Sequence, residues 1–238
     1  MTSALASLSS KQRILLEQWL PGATVVRDHG WGLVQTTVIE LILARTRFIV
    51  KAGGESDGHI AREIQAHQNW LGPWTRLGRA PMFEFGDEEA KILVTRYMPG
   101  ELVLGTQSAD DPSTYRQAGE LLALFHAQLV VPDAEYERRE NEKALAWLTK
   151  PHRIAPATVE RLRAEIASWP TQPVTLVPTH GDWQTRNCLL LAGIGRVMDF
   201  GRAAQRTGVP DRARVPATAL PRLPAHATAV GCGCSEAP

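Results

Sequence analysis

The residues best suited to chemistry are concentrated in positions 179–203, which read THGDWQTRNCLLLAGIGRVMDFGRA. Asp182 and Asn187 lie five positions apart, and Asp199 follows twelve positions after Asn187. Phosphoryl transfer from a nucleotide needs a group that orients the attacking hydroxyl and oxygen ligands for Mg²⁺. The five-residue spacing is that of a kinase catalytic loop, and the Asp of an Asp-Phe-Gly tripeptide holds Mg²⁺ in kinases. The segment therefore indicates phosphoryl transfer, although Asp and Asn also form ordinary turns.

The cation that such a reaction needs on the phosphates is predicted at Lys51, which ends the apolar run FIVK. Glu63 lies in the next helical pattern, where it is placed to pair with a lysine across a cleft. Gly30 and Gly32 stand between two strand patterns, where backbone N–H groups can cover phosphates. Three plainer interpretations stay open: a strand-end lysine, a solvated helix face bearing the glutamate, and a simple hairpin turn at the two glycines.

A leading helix is predicted at residues 9–20, with Ser10 as its N-cap. Ile14, Leu15 and Trp19 are expected to form its apolar face. Pro21 and Gly22 then end the helix.

The elements after this helix change character near Pro99. Before it, β-rich runs between residues 23 and 51 predict an antiparallel meander, followed by a helix at 57–71 and two further strands. After it, the patterns are mainly helical, at residues 112–128, 141–149 and 157–168. The sequence therefore predicts an α+β protein with a strand-rich N-terminal lobe and a helical C-terminal lobe, the order of parts that a two-lobed kinase requires.

The composition of the chain narrows the classes of partner that it is expected to bind. The 238 residues carry 26 Lys and Arg against 25 Asp and Glu, a net charge of +1, which gives no electrostatic basis for binding nucleic acid or an anionic membrane. Small-molecule partners are therefore expected. Three cysteines do not form a disulfide framework, and no window is long and apolar enough to span a bilayer, so a cytoplasmic location is expected.

The chain resembles the aminoglycoside phosphotransferase family of kinase-like small-molecule phosphotransferases. THGDWQTRNCLL is similar to the catalytic signature of that family, with Gly181 where protein kinases usually have Arg, and VMDFGRA is similar to its metal-binding segment. YRQAGELLALFHA and LVTRYMPGE also resemble their family counterparts. The likeness covers roughly residues 20–203, and it implies a protein-kinase-like two-lobed fold.

The resemblance also implies a role for each candidate position. These roles are Asp182 as catalytic base, Asn187 and Asp199 as Mg²⁺ ligands, Lys51 and Glu63 as the pair that orients the phosphates, and the backbone of Arg96, Tyr97 and Met98 as the contact for the adenine.

The likeness stops abruptly after the DFG segment. Family members continue with several helices that complete the C-terminal lobe, whereas residues 204–238 are rich in Ala, Pro and Arg and predict an irregular tail. We therefore expect a frame shift or truncation at this point, and self-association through C-lobe surface left uncovered. The expected domains are a nucleotide-binding lobe at 1–98, a helical lobe at 99–203 and the tail.

The function expected from the sequence is transfer of the γ-phosphate of ATP, or alternatively GTP, to a hydroxyl of a small molecule with Mg²⁺ as cofactor. Two alternatives stay open. One is a non-catalytic nucleotide-binding remnant of such a kinase. The other is a kinase of the choline, homoserine or sugar-amine type, which shares the catalytic signature and differs in its acceptor pocket.

Overall fold

The computed structural model describes residues 3–30 and 36–208. Its largest sheet has five antiparallel strands in the order β1-β2-β3-β5-β4. These strands are β1 (Thr24–Asp28), β2 (Thr37–Leu43), β3 (Thr46–Ala52), β4 (Phe83–Asp87) and β5 (Ile92–Arg96). Two smaller sheets, ordered β10-β9-β6 and β11-β8-β7, are built from β6 (Glu101–Leu102), β7 (Val131–Asp133), β8 (Val174–Thr179), β9 (Cys188–Leu191), β10 (Ile194–Val197) and β11 (Ala204–Arg206).

Most of the α-helical residues follow the five-stranded sheet in the chain. The α-helices are α1 (Ser3–Ala6), α2 (Ser10–Trp19), α3 (His59–Asn69), α4 (Gly72–Arg76), α5 (Pro112–His126), α6 (Tyr136–Trp147) and α7 (Pro156–Ser168). Short 3₁₀ helices lie at Gln107–Ala109 and Thr185–Asn187. The predicted α+β class is confirmed. Within the described ranges, no helix is long and apolar enough to cross a lipid bilayer.

Helix α2 covers one face of the five-stranded sheet, and Leu15 and Trp19 of its predicted apolar face pack against the core there. Its cap and the rest of its buried face differ from the prediction. The N-cap is Ser9, not Ser10, because Ser9 forms a reciprocal capping box with Gln12. The buried side chains of the helix are those of Gln12 and Leu16, whereas Ile14 is 59% exposed. Gln12 is buried because its amide donates to the carbonyl oxygens of Gly53 and Ala90, at 2.9 and 2.8 Å. The hydrogen bonds of the Gln12 amide, which the apolar pattern does not reveal, therefore help to set the orientation of this helix.

The opposite face of the sheet contacts α3. Ile60 and Ile64 of α3 are buried against Leu93 of β5. In an antiparallel ladder, directly paired residues project to the same face of the sheet. Because Leu93 pairs with Lys51, the lysine projects to the face that α3 covers.

A second core joins α4, α5 and the segment 180–203. Trp74 is fully buried, with its ring stacked on Phe125 at a centroid separation of 4.3 Å and its indole nitrogen donating to the Leu121 carbonyl at 2.9 Å. Trp183 and Phe200 complete the cluster, each with its ring centroid 5.8 Å from that of Trp74. This core therefore fixes the segments that bear the predicted catalytic and metal-binding residues.

The predicted tail at 204–238 was wrong at its first residues. Ala204–Arg206 forms β11, which pairs antiparallel with Val177–Thr179 of β8. The Thr179 hydroxyl also donates to the Ala204 carbonyl at 2.8 Å. A three-residue strand has no periodic signal of its own and depends on a partner distant in sequence. Residues 209–238 lie outside the described residues, and the division of the lobes at residue 98 stays a prediction.

Candidate active site

The first part of the site is an ion cluster around Lys51. Its ammonium donates to both carboxylate oxygens of Glu63 at 2.9 Å and contacts Asp199 Oδ1 at 3.3 Å. The three residues come from β3, α3 and the DFG segment. The structure therefore brings together three side chains that are separated by up to 148 positions in the sequence.

The charges of the cluster are unequal, since two carboxylates share one ammonium. Burial alone would lower the pKa of Lys51, but the carboxylates of Asp199 and Glu63 outweigh it and raise that pKa well above its usual range. Lys51 is therefore a permanent cation in this site. The extra carboxylate leaves the cluster suited to receive a further positive charge.

Asp199 is held in an unusual backbone conformation. Its φ angle is +66°, in the left-handed region that residues other than glycine rarely adopt. The next residue, Phe200, is fully buried in the Trp74 core and donates its N–H to Glu63 Oε1 at 3.3 Å. The Lys51 ammonium holds the pKa of Asp199 below its ordinary value. Packing of Phe200 thus fixes a strained turn that presents an ionised carboxylate, which is 52% exposed.

The second part of the site is the loop His180–Asn187. The Asn187 amide donates to the Asp182 backbone carbonyl at 2.8 Å and to Asp182 Oδ2 at 3.2 Å. Arg186 also contacts Oδ2, at 2.7 Å, and the Gln184 amide donates to Oδ1 at 3.2 Å. Burial raises the pKa of Asp182, but the hydrogen bonds from Arg186 and Asn187 outweigh it, so this pKa lies below its usual value. Asp182 is therefore an ionised acceptor near neutral pH.

Gly181 allows this loop to approach the segment after the DFG tripeptide. Its φ angle is +76°, and a Cβ atom placed there would overlap the Arg202 carbonyl oxygen and the Arg206 guanidinium. A side chain at this position, such as the Arg usual in protein kinases, would therefore require the backbone to move. The close approach explains the glycine that the sequence analysis noted.

Backbone hydrogen bonds join the two parts of the site. The Met198 N–H donates to the Asn187 carbonyl at 2.9 Å. His180 Nε2 lies 3.1 Å from the Met198 carbonyl oxygen, which can only accept, so this nitrogen carries the ring proton. His180 is fully buried, with its ring centroid 5.0 Å from that of Phe200. The catalytic loop and the DFG segment are therefore held side by side.

Asn187 and Asp199 have the donor chemistry for Mg²⁺. Because the Asn187 amide nitrogen is committed to Asp182, its side-chain oxygen is the group left for a cation. Carboxylate and amide oxygens are hard donors, and Mg²⁺ commonly takes few protein ligands and keeps several waters. Within residues 3–30 and 36–208, no group of three or more His, Cys, Asp or Glu side chains is placed to hold a metal.

The predicted base-contacting residues lie apart from the ion cluster. Phe48 pairs with Arg96 and Lys51 with Leu93, so the connection begins three residues, about 10 Å, along the ladder from the lysine. The Tyr97 N–H donates to the Arg47 carbonyl at 2.9 Å. The two ends of the predicted nucleotide cleft are therefore marked by Lys51 and by Arg96–Met98.

The two predicted phosphate-covering glycines are only partly described. The Gly30 N–H donates to Asp28 Oδ1 at 2.8 Å, which makes a tight turn directly after β1. Gly32 lies outside the described residues. Phosphate covering by this turn stays a prediction.

Arg186 was not among the predicted site residues, although it stands inside the catalytic signature, because roles were assigned only to the Asp and Asn of that signature. The sequence analysis also missed Glu40, whose signal is a lone charge within the apolar run VIELIL. His67 was missed because it completes a helical apolar face. It is buried between Phe83 and Phe200, and neither ring nitrogen has a partner in the described part of the chain. Burial lowers the pKa of His67 to about 3, so its ring stays neutral.

Residues 63–205, more than half of the chain, match the model of a family described as the phosphotransferase enzyme family. The chain belongs to this phosphotransferase family. The resemblance that the HGDxxxxN and DFG motifs indicated is therefore confirmed.

Solved structures with the same fold include several small-molecule phosphotransferases. Macrolide 2′-phosphotransferase MphH from Brachybacterium faecium is 18% identical with a TM-score of 0.51, over 87% of this chain and 76% of that one. Choline kinase LicA from Streptococcus pneumoniae is 16% identical with a TM-score of 0.56, over 87% and 74%. A thermostable aminoglycoside phosphotransferase APH(4)-Ia, in complex with ADP and hygromycin B, is 12% identical with a TM-score of 0.57, over 86% and 75%.

These structures share the kinase-like fold of the phosphotransferase family, which confirms the predicted fold. A search of curated protein sequences found no significant match.

Proposed function

We propose that this protein transfers the γ-phosphate of ATP to a hydroxyl group of a small molecule. The observation that carries the proposal is the contact of Lys51 with both Glu63 and Asp199, at 2.9 and 3.3 Å, beside the loop that bears Asp182. The proposal is supported by a permanent cation, oxygen donors suited to a metal and an ionised acceptor on segments that contact one another. Family membership and the shared fold support the same reaction.

In this proposal, Lys51 orients the nucleotide phosphates, and Glu63 fixes the lysine through two hydrogen bonds. Asn187 and Asp199 would hold Mg²⁺, which neutralises phosphate charge when bound. The backbone of Arg96–Met98 receives the purine. The N–H groups of Arg96 and Tyr97 donate to the carbonyls of Met82 and Arg47, at 2.8 and 2.9 Å, so Met98 supplies the N–H proposed to contact the base.

Asp182 is the proposed catalytic base. Arg186 and Asn187 contact its Oδ2, and the Gln184 amide donates to Oδ1. The ionised carboxylate is the group proposed to accept the hydrogen bond of the attacking hydroxyl. As the hydroxyl oxygen bonds to the γ-phosphorus and the bond between that phosphorus and ADP breaks, the hydroxyl proton passes to Asp182.

A phosphorylation assay with a panel of acceptors tests the proposal. The panel contains a macrolide, an aminoglycoside and choline, because the structures that share the fold include kinases of these classes. We expect Mg·ATP-dependent phosphorylation of at least one of them, detected by mass spectrometry. Binding of Mg·ATP without turnover on any acceptor, and without slow ATP hydrolysis, would instead favour the nucleotide-binding remnant.

A further inference from the structure

Glu40 is a buried carboxylate in the middle of an apolar strand. Its residue is 1% exposed, between Ile39 and Leu41, which are buried in the core under α2. Side chains alternate along a strand, so Glu40 projects to the opposite face from these two neighbours. A buried charge is costly unless it is paired, and a well-packed apolar residue is often at least as stable in its place. The charge therefore calls for an explanation other than core stability.

The strand register places Glu40 on the cleft face. Glu40 pairs with Ile49, and Lys51 pairs with Val38, so all four residues project to the same face of the sheet. Ile49 in turn pairs with Thr95, the residue before the proposed base-contacting segment. Glu40 thus lies one row, about 7 Å, from the row of Lys51 and toward the end of the cleft that receives the base.

Side chains from two different segments meet at this carboxylate. His29 Nε2 lies 3.0 Å from Glu40 Oε2, and the Arg47 guanidinium lies 2.5 Å from Oε1. His29 directly precedes Gly30, and its N–H donates to the Val38 carbonyl at 2.8 Å. The Glu40 carboxylate therefore links His29, which precedes Gly30, to Arg47 near the start of β3.

Arg47 extends the link to the base-contacting segment. Its guanidinium carbon lies 3.7 Å from the centroid of the Tyr97 ring, which is the geometry of a cation–π contact. Its carbonyl also accepts the Tyr97 N–H at 2.9 Å. One arginine thus holds Tyr97 through both the backbone and the side chain, and Glu40 holds the arginine.

The carboxylate is ionised in this setting. Burial would raise the pKa of Glu40, but hydrogen bonds from His29 and Arg47 outweigh it and hold that pKa below its usual value. An ionised carboxylate only accepts hydrogen bonds, so His29 Nε2 carries a proton. Both partners are partly exposed, at 31% and 44%, and each can be hydrated if the carboxylate charge is removed.

We propose that Glu40 is a positioning residue for the base end of the nucleotide site, holding Arg47 and thereby Tyr97 in the orientation that receives the purine. The inference rests on the proposed nucleotide-dependent function. It assigns the two ends of the cleft to different charged groups, Glu40 with Arg47 at the base and Lys51 with Glu63 at the phosphates.

Binding of three probes to the full chain tests this division. The probes are adenosine, Mg·tripolyphosphate and Mg·ATP, measured by calorimetry or by competition with a fluorescent nucleotide. We expect Glu40→Gln to weaken adenosine and Mg·ATP about tenfold, the size of one lost charge-assisted hydrogen bond, and to leave tripolyphosphate unchanged. Lys51→Met should do the reverse, weakening tripolyphosphate and Mg·ATP while sparing adenosine. Glu89→Gln, which removes a surface pair with Lys11, is the control for loss of a carboxylate in this lobe.

Arg47→Met supplies a second variant, which removes the guanidinium from Oε1 of Glu40 and keeps His29 on Oε2. It should reproduce the loss for adenosine. Unchanged adenosine binding in both variants would overturn the inference, and so would an equal loss for all three probes, which would indicate a general structural role. If the unsubstituted protein binds neither Mg·ATP nor adenosine, the proposed function fails, and this inference with it.

Discussion

Two tryptophan-bearing regions of the molecule are packed very differently. Trp74 is fully buried and contacts rings from α5, the catalytic loop and the DFG segment. Helix α6 buries none of its residues, and Trp147 at its end is 66% exposed. The residues around Trp74 hold the catalytic segments in place, whereas α6 contributes surface. The difference indicates that the geometry of the proposed site depends on the first region and is largely independent of the second.

Replacing Trp74 or Trp147 by alanine gives the largest expected effect and tests the difference in packing between the two regions. We expect Trp74→Ala to lower the free energy of unfolding by about 4 kcal/mol, because it removes a buried ring from a close-packed core. Trp147→Ala should cost less than about 1 kcal/mol, since the exposed ring contacts mainly Lys150 in a cation–π pair. Urea denaturation followed by circular dichroism measures both. Equal losses would show that α6 is part of the core.

Two glycines with similar backbone angles provide the next comparison. Gly181 has φ +76° and Gly78 has φ +64°, but a Cβ at Gly78 would meet no atom within 4 Å. Gly78→Ala should therefore cost only about 1 kcal/mol, for the left-handed conformation. Gly181→Ala should cost roughly 3 kcal/mol, because backbone strain is added to a clash with the Arg202 carbonyl. Urea denaturation again gives both values, and equal losses would contradict the close approach of the loop to Arg202.

The smallest of these effects concerns the pH dependence of the catalytic base. In the proposed mechanism, activity needs ionised Asp182, so activity is present above the pKa of Asp182 and is lost as the pH falls through it. Arg186→Met removes the guanidinium that opposes the effect of burial on the pKa of Asp182, so the acid limb of kcat/KM should move to higher pH. Gln184→Met, which removes an uncharged donor to the same carboxylate, should move it less. An unchanged acid limb in Arg186→Met would contradict the ion pair.

The sequence predicted much of this arrangement because its strongest signals are local. The spacing of Asp182, Asn187 and Asp199 can be read within one short segment, and strand and helix periods placed Lys51 and Glu63 on elements that do meet. The roles assigned to these residues stay predictions that binding and activity measurements can test.

The features that the sequence did not predict are those that depend on contacts between segments distant in the chain. The face of α2 is set by Gln12 reaching two carbonyls more than 40 positions away. Strand β11 exists only through its pairing with β8. The position of Glu40 on the same face as Lys51 follows from its pairing with Ile49. Local sequence patterns do not reveal this strand register.

The most direct test of the central claim is the affinity for Mg·ATP of the unsubstituted protein, Lys51→Met and Asp182→Asn, measured side by side, together with turnover on an acceptor that the panel identifies. We expect Lys51→Met to bind Mg·ATP at least about tenfold more weakly, because it loses the cation on the phosphates. Asp182→Asn should bind as the unsubstituted protein does and lose roughly 10²- to 10⁴-fold in turnover. Unchanged binding by Lys51→Met, or unchanged turnover by Asp182→Asn, would contradict a site in which these side chains share one nucleotide.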